Sequence, residues 1–329
     1  MAIVESELKV FKAEINDDSA SNGGVMSAVE AVDNASDIWP SVGLTERTAG
    51  SVKYRKTFHK NNNAADTILQ NTLAGLWSPT PGDDAMYLIS ADQSNNQGSL
   101  TGSEPLYGVG TLNAPAAATD TVITVLVEDG ANIIFRDGEK IRISDQTDPA
   151  DEIGNEEFNT INGVPAVLGD VVTITLLTGL LSSYSSTATN VASMIDGGDL
   201  TPVTTTPVVT SAAGVPDETG LGLHNLGTIQ ESWAITFTSG TSYDLVGAVK
   251  GALGSGNTAA DFEPLNPDTG TPYLTVGSAF WTGTWLLGDT VTFTTSPSAV
   301  PVFEKRVIPA GAASSAANSR RILLWGESA

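Results

Sequence analysis

The chain has 329 residues, 38 Asp and Glu against 15 Lys and Arg, and a formal net charge of −23, although charged residues make up only 16% of it. Non-specific nucleic-acid binding takes its affinity from Lys and Arg that neutralise phosphates, so this balance argues against nucleic acid as a direct partner. Cysteine is absent, which removes disulfides and thiolate metal sites and leaves any small inserted domain to be held by its core alone.

A chain of this length is expected to divide into two or three domains. Its start, Met1-Ala2-Ile3-Val4-Glu5-Ser6-Glu7, lacks the basic and apolar segments of a secretory signal. The longest mainly apolar stretch, Val171 to Leu181, is broken by threonines and Gly179 and falls short of the ~20 residues of a membrane helix. The expectation is a soluble protein made in a cytoplasm, with no membrane partner.

Apolar residues seldom recur at helical spacing, while Thr, Val, Ile and Gly dominate between frequent turn residues, so the chain reads as mostly β. In chain order the expected strands are Ser51 to His59, Ala85 to Ser90, Thr121 to Val127, Glu139 to Ser144, Glu156 to Ile161 and Val171 to Leu177. They continue with Thr228 to Thr238, Pro272 to Val276, Thr290 to Thr295, Val302 to Ile308 and Arg321 to Trp325. Short strands spaced by turns favour sandwiches or barrels. Ser94 to Pro105 and Gly197 to Pro216 lack strand character and mark joints. The Gly-Asp-x-Val-Thr pattern recurs at Gly169 and Gly288, as a duplicated unit or as turn-then-strand chemistry.

Nine of the fifteen bases lie in two stretches at opposite ends: Arg47, Lys53, Arg55, Lys56 and Lys60, then Lys305, Arg306, Arg320 and Arg321. Val52, Tyr54 and Phe58 alternate with basic positions, which predicts a strand with one buried and one basic face. Folding the two ends together gives an all-β chain with a β-sandwich framework (1–100 and 298–329) and two inserted small β modules (101–200 and 201–297).

The run Lys53-Tyr54-Arg55-Lys56-Thr57-Phe58-His59-Lys60-Asn61-Asn62, then Leu76-Trp77-Ser78-Pro79-Thr80-Pro81-Gly82-Asp83-Asp84, resembles a pattern in structural proteins of tailed bacteriophages. The ending Pro301-Val302-Phe303-Glu304-Lys305-Arg306-Val307-Ile308-Pro309-Ala310-Gly311-Ala312 is similar to that family's closing strand and turn. The resemblance covers about 130 residues at the two ends. It implies a non-enzymatic virion component on a β-sandwich, in many copies, in a neck or collar, with capsid decoration and baseplate also open. Its partners would be other virion proteins and copies of itself, with Lys53, Arg55, Lys56, Lys305 and Arg306 as contact residues.

Residue chemistry adds little. The acidic run Asp137 to Glu157 is oxygen-rich enough to suggest calcium, but its spacing is not that of an EF-hand, and a solvated loop is the plainer reading. His59 is expected on a polar strand face and His224 in a loop, neither in a catalytic motif. Glu156 and Glu157 are adjacent in a strand and point to opposite faces, so they would not share a site. Gly251 to Gly256 lacks the ending of a phosphate loop and reads as a flexible turn. Asn34-Ala35-Ser36 matches a glycosylation sequon without an export signal to give it weight. Trp281 and Trp285 are the contact candidates for the alternative function, a tail module binding host-surface glycans, although core or subunit contact is the commoner use of such rings. No cofactor or metal is expected.

Overall fold

The computed structural model describes residues 2–32, 37–149, 153–315 and 318–329 and is all-β. The chain opens with β1 (Leu8–Ile15), β2 (Gly23–Glu30), one short helix α1 (Leu44–Ala49), β3 (Ser51–Asn61), β4 (Leu69–Leu76) and β5 (Ala85–Ser90). The first insert carries β6 (Val109–Leu112), β7 (Val122–Leu126), β8 (Lys140–Ser144), β9 (Glu156–Thr160), β10 (Ala166–Leu168), β11 (Val171–Thr175) and β12 (Asn190–Ser193), followed by β13 (Ile195–Leu200). The second insert holds β14 (Val203–Thr204), β15 (Val208–Thr210), β16 (Ala213–Pro216), β17 (Leu221–Gly222), β18 (Glu231–Phe237), β19 (Ser242–Gly247) and β20 (Gly251–Asn257). It ends with β21 (Thr275–Val276), β22 (Trp281–Thr284) and β23 (Thr290–Ser296), and β24 (Ala299–Ile308) and β25 (Ile322–Ser328) close the chain.

The two ends of the chain share a sheet of order β2-β1-β3-β24-β5. β3 and β24 run antiparallel without a register break from Ser51 opposite Ile308 to Lys60 opposite Ala299. A second sheet, β13-β4-β25, lies across one face. Met86, Leu88, Val300 and Val302 of the first sheet pack there against Leu69, Leu73, Leu76, Ile195 and Leu200 of the second. The other face of β3 and β24 is buried too: Phe58 and Ala299 cluster with Ala13, Phe11 and Met26 of the adjoining β1 and β2, and Lys56 reaches the carbonyls of Gly24, Asp92 and Asn95. Strands covered on both faces have no outward side. The basic face expected for β3 is therefore absent, and every residue from Arg55 to Asn61 is buried.

The framework reclaims part of the first insert. β13 pairs with β4, so the insert spans to about residue 194 rather than to 200. Gly197 to Pro216, expected to be strandless, holds the end of β13 and all of β14, β15 and β16. Short Thr/Val pairs suffice there because each lies along a strand already in place. The expected strand from Pro272 to Val276 contracts to β21.

The first insert forms a sheet of order β10-β11-β7-β6-β12-β8-β9 around Ile123, Val125, Ile141, Ile143, Val172, Ile174 and Val191. The second forms β14-β23-β18-β19-β20, with β15 also on β23, around an aromatic core. The repeated Gly-Asp pattern is one turn used twice. Gly169 (φ 60°) and Gly288 (φ 90°) both take the left-handed conformation. The following Asp carbonyls accept from Val127 N and Phe237 N, each at 2.9 Å. The strand orders built around the two turns differ.

Gly251 to Gly256 is a strand, not a flexible turn. A Cβ at Gly256 would lie 2.4 Å from the ring of Tyr243, and Gly254 (φ 113°) sits where the pairing of β19 with β20 shifts register. Glycine lets this edge strand lie directly over a buried tyrosine.

Candidate assembly surfaces

Alternation along β24 sends Glu304 into the sandwich, where its side chain is fully buried. Its carboxylate accepts from Trp39 Nε1 at 2.7 Å and Thr57 Oγ1 at 3.1 Å, and Arg320 holds it through Nε and through Nη2 at 2.8 Å. Burial pushes this carboxyl up. The Arg320 guanidinium and the Trp39 indole outweigh burial and leave it below the usual carboxylate range. His59 is not on a polar outer face. It is buried beside this cluster, with Nε2 3.5 Å from Thr57 Oγ1, and burial pushes its pKa down to about 4.

The five expected contact residues divide. Arg55 is buried, donates to Asp17 O at 2.7 Å and to Asp18 Oδ1 at 2.6 Å, and lies over the Trp39 ring. Lys56 is buried, and its Nζ donates to three carbonyls, Gly24 O at 2.7 Å and Asp92 O and Asn95 O at 2.8 Å. Arg306 is buried against Trp39, 4.4 Å from the ring centre. Arg55 and Lys56 bind the framework to itself and present nothing to a neighbour, and a charge reversal at Arg55 breaks the Asp18 pair before any outer contact. Lys53 keeps partial exposure but is paired with Asp18 at 3.0 Å and Glu46 at 3.4 Å. Lys305 is half-buried, with Nζ 5.8 Å from the Tyr87 ring centre.

Two further bases are turned inward at the joints. Arg142, fully buried at the seam between framework and first insert, stacks on Trp77 at 4.0 Å and Trp325 at 5.1 Å and pairs with Glu156. Lys60 Nζ donates to Leu226 O at 3.1 Å across to the second insert. At the same seam Asp66 accepts from Asn225 N at 2.7 Å and lies 3.0 Å from Nδ1 of His224, which is a loop residue. Asp66 has a φ of 54°, unusual for any residue but glycine, Asn or Asp. Sequence reasoning passed over this clamp, because its halves are 158 or more positions apart.

The acidic run is dispersed. Asp137 accepts from Gly163 N at 2.7 Å, Glu139 pairs with Arg136 at 2.7 Å, Asp148 pairs with Arg321 at 3.3 Å, and Glu157 accepts from Leu181 N at 2.9 Å. Asp151 and Glu152 lie outside the described residues, as does the Asn34-Ala35-Ser36 sequon. Among the described residues no group of three or more His, Asp or Glu is arranged to hold a metal ion.

The glycan candidates sit in the core of the second insert. Trp285 is buried and stacks on Phe237 at 4.7 Å with the rings 4° from parallel. Trp281 is half-buried, edge-on to Phe237 at 5.0 Å and 4.7 Å from Tyr243. Neither offers a flat free ring to a sugar, because a core of this size fills itself with aromatic area.

Two outward sheet patches are built mainly of neutral side chains. On the first insert, β10, β11 and β7 align Leu168 with Val171 and Leu126, Ala166 with Thr173 and Thr124, and Thr175 with Val122. Leu168 is 86% exposed, and the intervening Ile123, Val125, Val172 and Ile174 fill the core behind. On the second insert, Val208, Thr292, Ala234 and Val246 line up across β15, β23, β18 and β19 and form a shallow concavity with Ser232, Ala248 and Thr294, and Asp244, opposite Thr236 on the same face, stands at its margin and accepts from Ser255 Oγ at 2.6 Å.

A scan of the chain against protein-family models finds no match, and a search of curated proteins finds no relative.

Proposed function

We propose that the chain is a non-enzymatic structural component of a tailed-phage particle, present in many copies in the neck or collar region and acting through contacts with copies of itself and with other virion proteins. The observation that carries this reading is the pair of neutral, solvent-facing sheet patches on a chain of net charge −23. Acidic subunits repel, and burying a carboxylate in a contact costs several kcal/mol unless it is paired. Neutral β faces of Thr, Val, Leu and Ala can be covered by a neighbour without that cost. The framework supports the role by spending its bases on its own seams, which fixes the inserts relative to one another.

The test is the double variant Leu126→Asp and Leu168→Asp. Both side chains are exposed, so the chain should fold with a Tm near that of the parent. Incorporation into particles, followed by immunoblot of purified virions, should fall at least tenfold. Incorporation at the parental level sinks the reading. The glycan-binding alternative keeps none of its contact residues on the surface as free rings.

A further inference from the structure

Two guanidiniums stand outside the ion-pair network. Arg306 is 6% exposed, yet among the described residues no carboxylate lies within 4.0 Å of it. Its Nη2 makes only a long 3.5 Å contact with Pro40 O, and its Nε is a buried donor with no acceptor. Arg47, half-buried on α1, repeats the pattern, with a buried Nε that finds no acceptor. Both line a single cavity of about 220 Å³ between the Pro40–Val42 segment, the Gly82–Asp84 turn, the end of β24 and the stretch 312–315 with Asn318. Glu46 and the wall acid Asp84 act on Arg306 through their field without bonding to it, and the acids on the wall are bonded elsewhere. Asp83 accepts from Ala313 N at 2.8 Å and Asp84 from Asn318 Nδ2 at 2.7 Å, which ties the loop after β24 down as one side of the cavity.

A buried cation without a partner is costly, and a guanidinium presents its donors in a fork that matches carboxylate and phosphate oxygens. The cavity is several times the ~30 Å³ share of one liquid water. We propose that this cavity binds an oxyanion, a carboxylate or a phosphate group, between Arg47 and Arg306. Ser41, Ser314 and Ser315 bring further hydroxyl groups to the same walls. The site draws on no residue of the neutral patches, so its test and that of the assembly role fail separately.

The experiment titrates the full chain with inorganic phosphate, acetate and N-acetylglutamate amide by calorimetry and thermal shift, against chloride at matched ionic strength. Saturable binding of at least one probe at one site per chain, weakened about tenfold or more in both Arg47→Gln and Arg306→Gln, is the expected result. Should Arg306→Gln fail to fold, Arg47→Gln decides alone, because Arg47 is only half-buried. Phosphate binding alone identifies a free ion as the source, and binding of N-acetylglutamate amide identifies an acidic side chain of a neighbouring chain. No binding above chloride by any probe, or binding that survives Arg47→Gln unchanged, overturns the proposal.

Discussion

Glu304 and Arg55 lie directly opposite each other on β24 and β3, yet they do not pair. Glu304 is taken by Arg320, Trp39 and Thr57, while Arg55 reaches outward to Asp18 and Asp17 O. The cross-strand position thus feeds two networks. One ties the segment before β25 to the sheet centre, and the other ties the β1–β2 connection to its rim.

Removing Arg320 leaves the Glu304 carboxylate buried with only neutral donors. Arg320→Met should lower the free energy of unfolding by about 3–5 kcal/mol in urea titrations. Adding Glu304→Gln should recover part of that loss, since the uncompensated charge goes with it. A double variant as unstable as the sum of the single changes would show that the two residues do not act as a pair.

His59 gives the fold a pH dependence with a defined sign. Its ordinary pKa of 6.5 falls to about 4 in the folded chain, chiefly through burial. Above pH 6.5 both states are neutral and the full stability is present. Between pH 6.5 and 4 the unfolded chain takes up a proton that the folded chain refuses, so stability drops as pH falls, by about 3 kcal/mol over that window. Glu304, also depressed, adds its own loss at lower pH. The difference between parent and His59→Gln isolates the histidine. Their unfolding free energies should converge or cross on going from pH 7 to pH 4, and parallel curves would remove His59 as the cause.

Lys56 is held by three carbonyl oxygens and lies 5.0 Å and 5.6 Å from the ring centres of Phe58 and Phe303. Burial pushes its pKa down to about 7, and the charge of Asp92 works in the other direction. Lys56→Met keeps the length of the side chain but leaves three carbonyls without their donor. A loss of about 3 kcal/mol is expected. The amide of Gly24, which donates to Asn95 O, should exchange with deuterium faster in the variant. Unchanged exchange there would mean that the lysine does not hold the 91–97 loop to β2.

Strand content was legible wherever a single strand carries its own pattern. The Met-Tyr-Leu-Ile run gives β5 to the residue, and Val/Thr alternation places β11 and β23. β1 and β2 escaped notice because Lys9, Lys12 and Glu14 interrupt the apolar residues of β1, and β2 is an edge strand rich in small residues. β20 was hidden by its glycines, whose purpose is set by Tyr243 on another strand. The candidate contacts failed for a similar reason. Local sequence shows that Arg55 and Lys56 are charged. It does not show that Asp18, Asp92 O and Asn95 O come back to meet them, and those partners turn a basic strand into an interior one.

Trp285 separates the glycan reading from the core reading. Its ring stacks on Phe237 and meets Trp281 edge-on at 5.3 Å, and Gly214 lies so close that a Cβ there would touch the indole at 2.4 Å. Truncating a buried aromatic costs both transfer energy and a cavity, so Trp285→Ala should lower stability by about 3–5 kcal/mol. The near-ultraviolet circular dichroism of the coupled rings should weaken with it. Because the ring is only 4% exposed, the change should leave any binding of polysaccharide by still-folded protein where it was. A variant of parental stability that has lost carbohydrate binding would return Trp285 to the surface and revive the adhesin reading.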